Sequence, residues 1–202
     1  MIFEKEKVIF VHHPKTGGNS IQDALRSLTG DRIVARKKLQ DGQERFNVEN
    51  RSYERLQKHS PLQAYRTSLG PSFFAYKVFI TIRNPFDRLV SYYFSPHRGE
   101  VQFNASDFKE VVHSVPTLDH FIRIKQPETH KFEVYSDLTF MKFENLEDDF
   151  AKLCEALKVD GIDLPHRNAS RRPQYQECYD QELKQWVQDT HKFEISLGNY
   201  HF

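Results

Sequence analysis

The apolar positions along the chain change their period, and each change marks an element. The run "KVIFV" (7–11) is short, continuous and rich in β-branched residues, which predicts a buried strand. Beyond a polar loop, Ile21, Ala24, Leu25 and Leu28 recur at the spacing of one helix face, with Gly30 placed to close it. "RIVA" (32–35) predicts a second strand, and "RKKLQDGQERFN" (36–47) an exposed connection. Residues 49–69 predict one or two helices interrupted near "KHSP" (58–61), where Pro61 suits a helix start. "YKVFITIR" (76–83) is the strongest strand pattern in the chain. A helix follows at once: Asn84 can cap it, Pro85 suits its first position, and Phe86, Leu89, Val90 and Tyr93 form its core stripe.

Residues 106–124 read as helical with a break at Pro116, and "LTFMKF" (138–143) as a third clear strand. Leu146, Phe150, Leu153 and Leu157 give the next helix, whose first turn holds Glu147, Asp148 and Asp149 at the positive end of its dipole. "RNASRRPQYQ" (167–176) is a polar, basic loop, and a last helix from about 180 carries Leu183, Trp186, Val187 and Thr190 on one side. Strand followed by helix, repeated, implies an α/β fold: a mostly parallel central sheet flanked by helices on both faces, in three layers. With no repeat and no linker-like stretch, residues 1–202 are expected to form a single domain.

Composition narrows the class. Charged residues make up 28% and hydrophobic ones 38% of the chain, as in a globular protein. The net charge of +1 provides no global field for nucleic acid or an anionic membrane, so no nucleic-acid partner is expected. No apolar run approaches the roughly 18 residues of a membrane span, and the first residues do not read as a signal peptide. Cys154 and Cys178 make no disulfide framework. A reduced, cytoplasmic setting is the expectation.

The chemistry is concentrated in the loop "HHPKTGGN" (12–19), between the first strand and its helix. In open α/β folds ligands bind beyond the carboxyl ends of the strands. Gly17 and Gly18 let the backbone turn tightly and approach a ligand, the helix offers free N–H groups and a partial positive charge, and Lys15 adds a full one. The natural occupant is a phosphate or sulfate. This is not a Walker A loop, because Lys15 precedes both glycines. Arg83 stands at the carboxyl end of the strongest strand, and Asn84, Asp87, Arg88 and Ser91 share the polar face of the helix after it. Arg83 and Ser91 can grip a second phosphate with a guanidinium fork and a hydroxyl. The plain alternatives are an Arg83–Asp87 ion pair and a solvated serine. Two anion sites, one per strand–helix unit, suit a nucleotide with phosphates at both ends, the shape of 3′-phosphoadenosine 5′-phosphosulfate (PAPS).

At these residues the sequence resembles the PAPS-dependent sulfotransferases, most of all the branch of heparan- and chondroitin-type carbohydrate sulfotransferases. "FVHHPKTGGNS" (10–20) is similar to that family's 5′-phosphosulfate loop, "IRNPFDRLVSYY" (82–93) to its 3′-phosphate motif, and "FMKFENLEDDF" (140–150) and "GNYHF" (198–202) to further family habits. The resemblance implies a P-loop-like fold and PAPS as co-substrate without a metal. It implies Lys15 at the bridging oxygen of the phosphosulfate, and Pro14, Thr16, Gly17, Gly18, Asn19 and Ser20 around the 5′-phosphate. Arg83 and Ser91 would hold the 3′-phosphate. Arg171 and Arg172 are candidates to cover the nucleotide or guide an acidic acceptor, the plain alternative being a solvated basic loop. Asn19 replaces the usual threonine, and His13 a usually apolar residue. The chain resembles a free-standing catalytic domain without the membrane anchor of Golgi relatives.

Such a reaction needs a general base for the acceptor hydroxyl, and histidine is the usual choice, with a free imidazole value of about 6.5. His12 matches the proposed base of the glucosamine 6-O branch, and His59 lies in a region resembling the one that supplies the base of the uronosyl 2-O branch. Both stay open. No metal-ligand spacing appears among the histidines and cysteines. The expected partner is a hydroxyl-bearing acceptor, a glycan by resemblance. The competing readings are a P-loop kinase or nucleotide hydrolase, and a non-catalytic glycan-binding module on the same scaffold.

Overall fold

The computed structural model describes residues 1–29, 31–36, 45–50, 53, 55–95, 101–165 and 172–202. Its elements run β1 (Ile2–Phe3), β2 (Val8–Val11), α1 (Gly18–Leu25), β3 (Asp31–Arg36), β4 (Arg45–Asn50), α2 (Leu62–Leu69), β5 (Lys77–Ile82), α3 (Pro85–Tyr93), α4 (Ala105–Ser114) and α5 (Leu118–Ile122). They continue with β6 (Arg123–Lys125), β7 (Phe132–Val134), β8 (Leu138–Lys142), α6 (Leu146–Leu157), α7 (Gln181–Thr190) and α8 (Lys192–Gly198). The central sheet has the order β1-β2-β5-β8. β2, β5 and β8 are parallel, and β1 is an antiparallel edge.

Alternation along the strands sends side chains to two cores. Ile9, Val11, Val78, Ile80 and Ile82 meet Leu62 and Tyr65 of α2 and Leu118 and Phe121 of α5 on one face. Val8, Phe10, Phe79 and Met141 meet Ile21 and Leu25 of α1 and Phe150, Leu153 and Leu157 of α6 on the other. This is the expected mostly parallel sheet with helices on both faces. A third core joins Phe86, Leu89, Val90 and Tyr93 of α3 to Phe108 and Val112 of α4 and Leu183 and Val187 of α7. Parallel strands bring their carboxyl ends to one edge of the sheet, so the segments after Val11, Ile82 and Lys142 are neighbours. That edge carries the site.

Several local expectations need correction. Residues 45–50, expected within a connection and the start of a helix, form β4, paired antiparallel with β3 from Asp31↔Asn50 to Arg36↔Arg45. The signal was the two-residue spacing of Phe46 and Val48, which pairing with the preceding strand β3 turns into a ladder. Among the described residues, helix in the 49–69 region is confined to α2. The last helix is two, α7 and α8, with the break at His191. The short hairpin of β6 and β7 and the two-residue β1 carried too few residues to show a period. Gly30, Lys37, Lys38 and residues 167–171 of the 167–176 loop, Arg171 among them, lie outside the described residues. Among the described residues no helix is long and apolar enough to cross a membrane.

Candidate active site

The two glycines of the first loop meet different demands. Gly17 caps α1 in the left-handed region, φ 86°, and a Cβ there would come 2.6 Å from Leu146 Cδ2. Gly18 opens the helix, and a Cβ there would lie 2.2 Å from Cδ2 of His12. Left-handed torsion requires the first glycine, and the close approach of an imidazole ring requires the second. Lys15 also takes a positive φ, 68°. No side chain caps α1, so the first-turn N–H groups and the positive end of the dipole are left for an anion. The Thr16 side chain is fully buried: its hydroxyl donates to the His13 carbonyl at 2.7 Å and meets the Thr81 hydroxyl of β5. Thr16 therefore ties the loop down with its side chain and can serve a ligand only through its backbone. Pro14 and Asn19 are half-buried, whereas Ser20 is buried and its N–H bonds Gly17 O at 3.0 Å.

Arg83 joins this loop to the next one. Its Nη1 donates to the Lys15 carbonyl at 3.0 Å, while Nε (2.8 Å) and Nη2 donate to Asp87 Oδ2. The guanidinium also lies over the Phe143 ring, 3.9 Å from its centroid. Asp87, Ser91 and Ser95 recur every four residues and form one line along α3 and its end. Lys15 Nζ donates to Ser95 Oγ at 3.3 Å. Ser95 is a candidate that reading the sequence missed, although it continues the Asp87–Ser91 spacing by one more step. Ser91 is buried on the same line. Arg172 reaches Asp87 Oδ1 at 2.5 Å. Glu144 has both oxygens engaged, Oε1 by the Asn84 N–H at 2.8 Å and Oε2 by the Tyr200 hydroxyl at 3.0 Å.

The two candidate bases are neighbours, with ring centroids 4.4 Å apart. His12 is only 3% exposed, and its Nδ1 donates to Gln22 Oε1 at 2.9 Å. Burial pushes its pKa well below the ordinary value, and His59 adds to the effect. His12 thus stands beneath α1 as a neutral packing ring. His59 Nδ1 lies 3.1 Å from the His12 carbonyl, which can only accept, so Nδ1 carries the proton and Nε2 the lone pair. Desolvation pushes its pKa down to about 4, against the opposing hydrogen bond to the His12 carbonyl, although the residue as a whole is exposed.

His13 belongs to a separate buried cluster beneath the loop. Its Nδ1 is 4.0 Å from Glu194 Oε1, Arg88 Nε is 3.5 Å from the same oxygen, and His191 Nδ1 is 3.3 Å from Oε2. Each of the four side chains is at most 2% exposed. Burial, followed by the Arg88 charge, holds His13 neutral. The cluster ties the loop to α3 and α8 through residues that lie far apart in the sequence.

Residues 1–201 match the family described as the sulfotransferase family. The chain belongs to the sulfotransferase family. No curated protein and no solved structure matches it. A sulfotransferase must hold an anionic sulfuryl donor and stabilise the oxygen that departs. This sulfotransferase offers a tight loop whose second glycine leaves no room for a Cβ beside the His12 ring, uncapped helix N–H groups, Lys15 on one side, and Arg83 bonded to the same loop. That donor set fits a phosphosulfate.

Proposed function

We propose that this sulfotransferase moves a sulfuryl group from PAPS to an acceptor hydroxyl of a carbohydrate, with residues 1–202 acting as one catalytic unit of P-loop-like kinship. The observation that carries the reading is the 3.0 Å bond from Arg83 Nη1 to the Lys15 carbonyl. It joins an anion loop and a strand-end arginine into one surface, as a nucleotide with a 5′-phosphosulfate and a 3′-phosphate requires. The carbohydrate part rests on the resemblance to the heparan and chondroitin branch.

Bound PAPS would supply the SO3 group. The backbone of residues 14–20 would hold the 5′-phosphate, and Arg83, Ser91 and Arg172 the 3′-phosphate. Lys15 would neutralise charge gained by the bridging oxygen, an interaction stronger in the transition state than before it. His59 Nε2 would accept the acceptor proton, since its tautomer leaves the lone pair there. Thermal shift tests the donor. A ligand at a hundredfold excess over its Kd adds about 2.7 kcal/mol, or roughly 5–10 °C for a chain of this size. Adenosine 3′,5′-bisphosphate without metal should give that shift, and magnesium ATP should not. The reverse pattern would refute the reading.

A further inference from the structure

Asp87 places a carboxylate where anion binding alone would not call for one. It sits in the first turn of α3 and its side chain is 20% exposed. Both oxygens are taken by arginines: Oδ2 accepts from Nε at 2.8 Å and from Nη2 of Arg83, and Oδ1 lies 2.5 Å from Nη2 of Arg172. A guanidinium has five N–H donors. Counting the Nη1 bond to Lys15, three of those on Arg83 are committed to protein acceptors, including one whole fork edge, and Phe143 covers a face of the group.

We propose that Asp87 is a built-in competitor for the phosphate that binds at Arg83 and Arg172. The proposal rests on the nucleotide reading above. The carboxylate occupies both guanidiniums when no phosphate is bound. It thereby mimics the ligand of this arginine clamp. An arriving phosphate must either displace Asp87 from these hydrogen bonds or bind beside a like charge, and both weaken its hold. The gain is in release: the product nucleotide keeps its 3′-phosphate and must leave after every turnover, and a carboxylate ready to reclaim both arginines favours its departure. An aspartate that merely aligned Arg83 would have the opposite sign, because its loss would misplace the arginine and weaken binding.

The test is calorimetric titration of adenosine 3′,5′-bisphosphate, and of adenosine 5′-monophosphate lacking the 3′-phosphate, into the full chain and its Asp87→Asn and Arg172→Gln variants. The intact protein should prefer the bisphosphate. Asp87→Asn should bind the bisphosphate at least ~10-fold tighter, the scale of removing one like charge beside an anion, with monophosphate affinity unchanged. Its kcat and KM should fall together as product release slows. Unchanged or weaker bisphosphate binding by Asp87→Asn would overturn the proposal while leaving the 3′-phosphate assignment in place. Equal affinity of the intact protein for both nucleotides would overturn that assignment and the competitor with it. Should Asp87→Asn fail to fold, Arg172→Gln decides alone: it should lose part of the preference for the bisphosphate, and an unchanged preference removes the clamp on which the proposal stands.

Discussion

Gly18→Ala probes directly how the anion loop is built. The added Cβ would meet three atoms of the His12 ring, Cδ2 at 2.2 Å, Nε2 at 2.4 Å and Cγ at 2.6 Å, so the whole ring must move. The ring has little room. Gln22 holds its Nδ1 at 2.9 Å, and His59 packs edge-on with its centroid 4.4 Å away. Overpacking of this kind costs about 1–3 kcal/mol, and a lost hydrogen bond adds about 1 kcal/mol. Alanine's better helix propensity offsets at most ~1 kcal/mol. The net loss is about 1–3 kcal/mol, a fall in Tm on the order of 5 °C for a chain of this length. Urea unfolding of the intact protein, Gly18→Ala, His12→Ala and the double variant measures it. With the ring removed the methyl has space, so Gly18→Ala in the His12→Ala background should be neutral to within ~0.5 kcal/mol. Strictly additive losses would show that the ring does not dictate the glycine.

Four further outcomes follow from the same geometry. Lys15→Ala should cut the transfer rate by about 10² or more, the scale of losing one oxyanion donor, with bisphosphate affinity nearly kept; a proportional loss of both would make Lys15 a binding residue only. Glu194→Gln should destabilise the fold by about 3–5 kcal/mol, because Arg88 is left as an uncompensated buried charge, and a loss below 1 kcal/mol in urea unfolding would contradict that. His59→Ala should lower turnover at least ~10²-fold, and in the intact protein the rate should fall only as pH drops through about 4, where the base takes up its proton; a limb near 6.5 that survives His59→Ala would point to another base. His12 and His13 both have folded values pushed well below 6.5, so the unfolded chain binds more protons below that pH and stability should fall on acidification from 6.5 downward; pH-dependent melting curves that stay level there would mean the rings are not held neutral.

The sheet and the loops at its carboxyl edge were legible because they rest on local patterns. The runs at 7–11, 76–83 and 138–143 show strand character within a few residues, and Asn84-Pro85 announces its helix. The structure confirms that cap, with Asn84 Oδ1 accepting from the Phe86 N–H. The missed elements are weak on their own and depend on pairing with a neighbouring strand. β4 becomes a strand by pairing with β3, and the short β6–β7 hairpin carries almost no period of its own. The same division holds at the site. Lys15, Gly17, Gly18 and Arg83 announced themselves by spacing. The Arg88–Glu194–His191–His13 cluster could not, since its members meet only when α3, α8 and the loop are packed together. Thr16 was legible in place but not in direction: its hydroxyl points to Thr81 beneath the loop, and only the packing decides that. The resting pKa of His59 was likewise hidden, because the desolvating neighbours come from the fold.

The central claim is that this sulfotransferase uses PAPS as its donor, with Lys15 acting at the departing oxygen. Mass-detected transfer from PAPS onto a panel of oligosaccharide acceptors, run with the intact protein and with Lys15→Ala, tests it most directly. The account predicts a sulfated sugar and one adenosine 3′,5′-bisphosphate per transfer for the intact protein, and a rate lower by about 10² or more for the variant. Transfer that proceeds equally well without Lys15, or product that forms from ATP and not from PAPS, would contradict it.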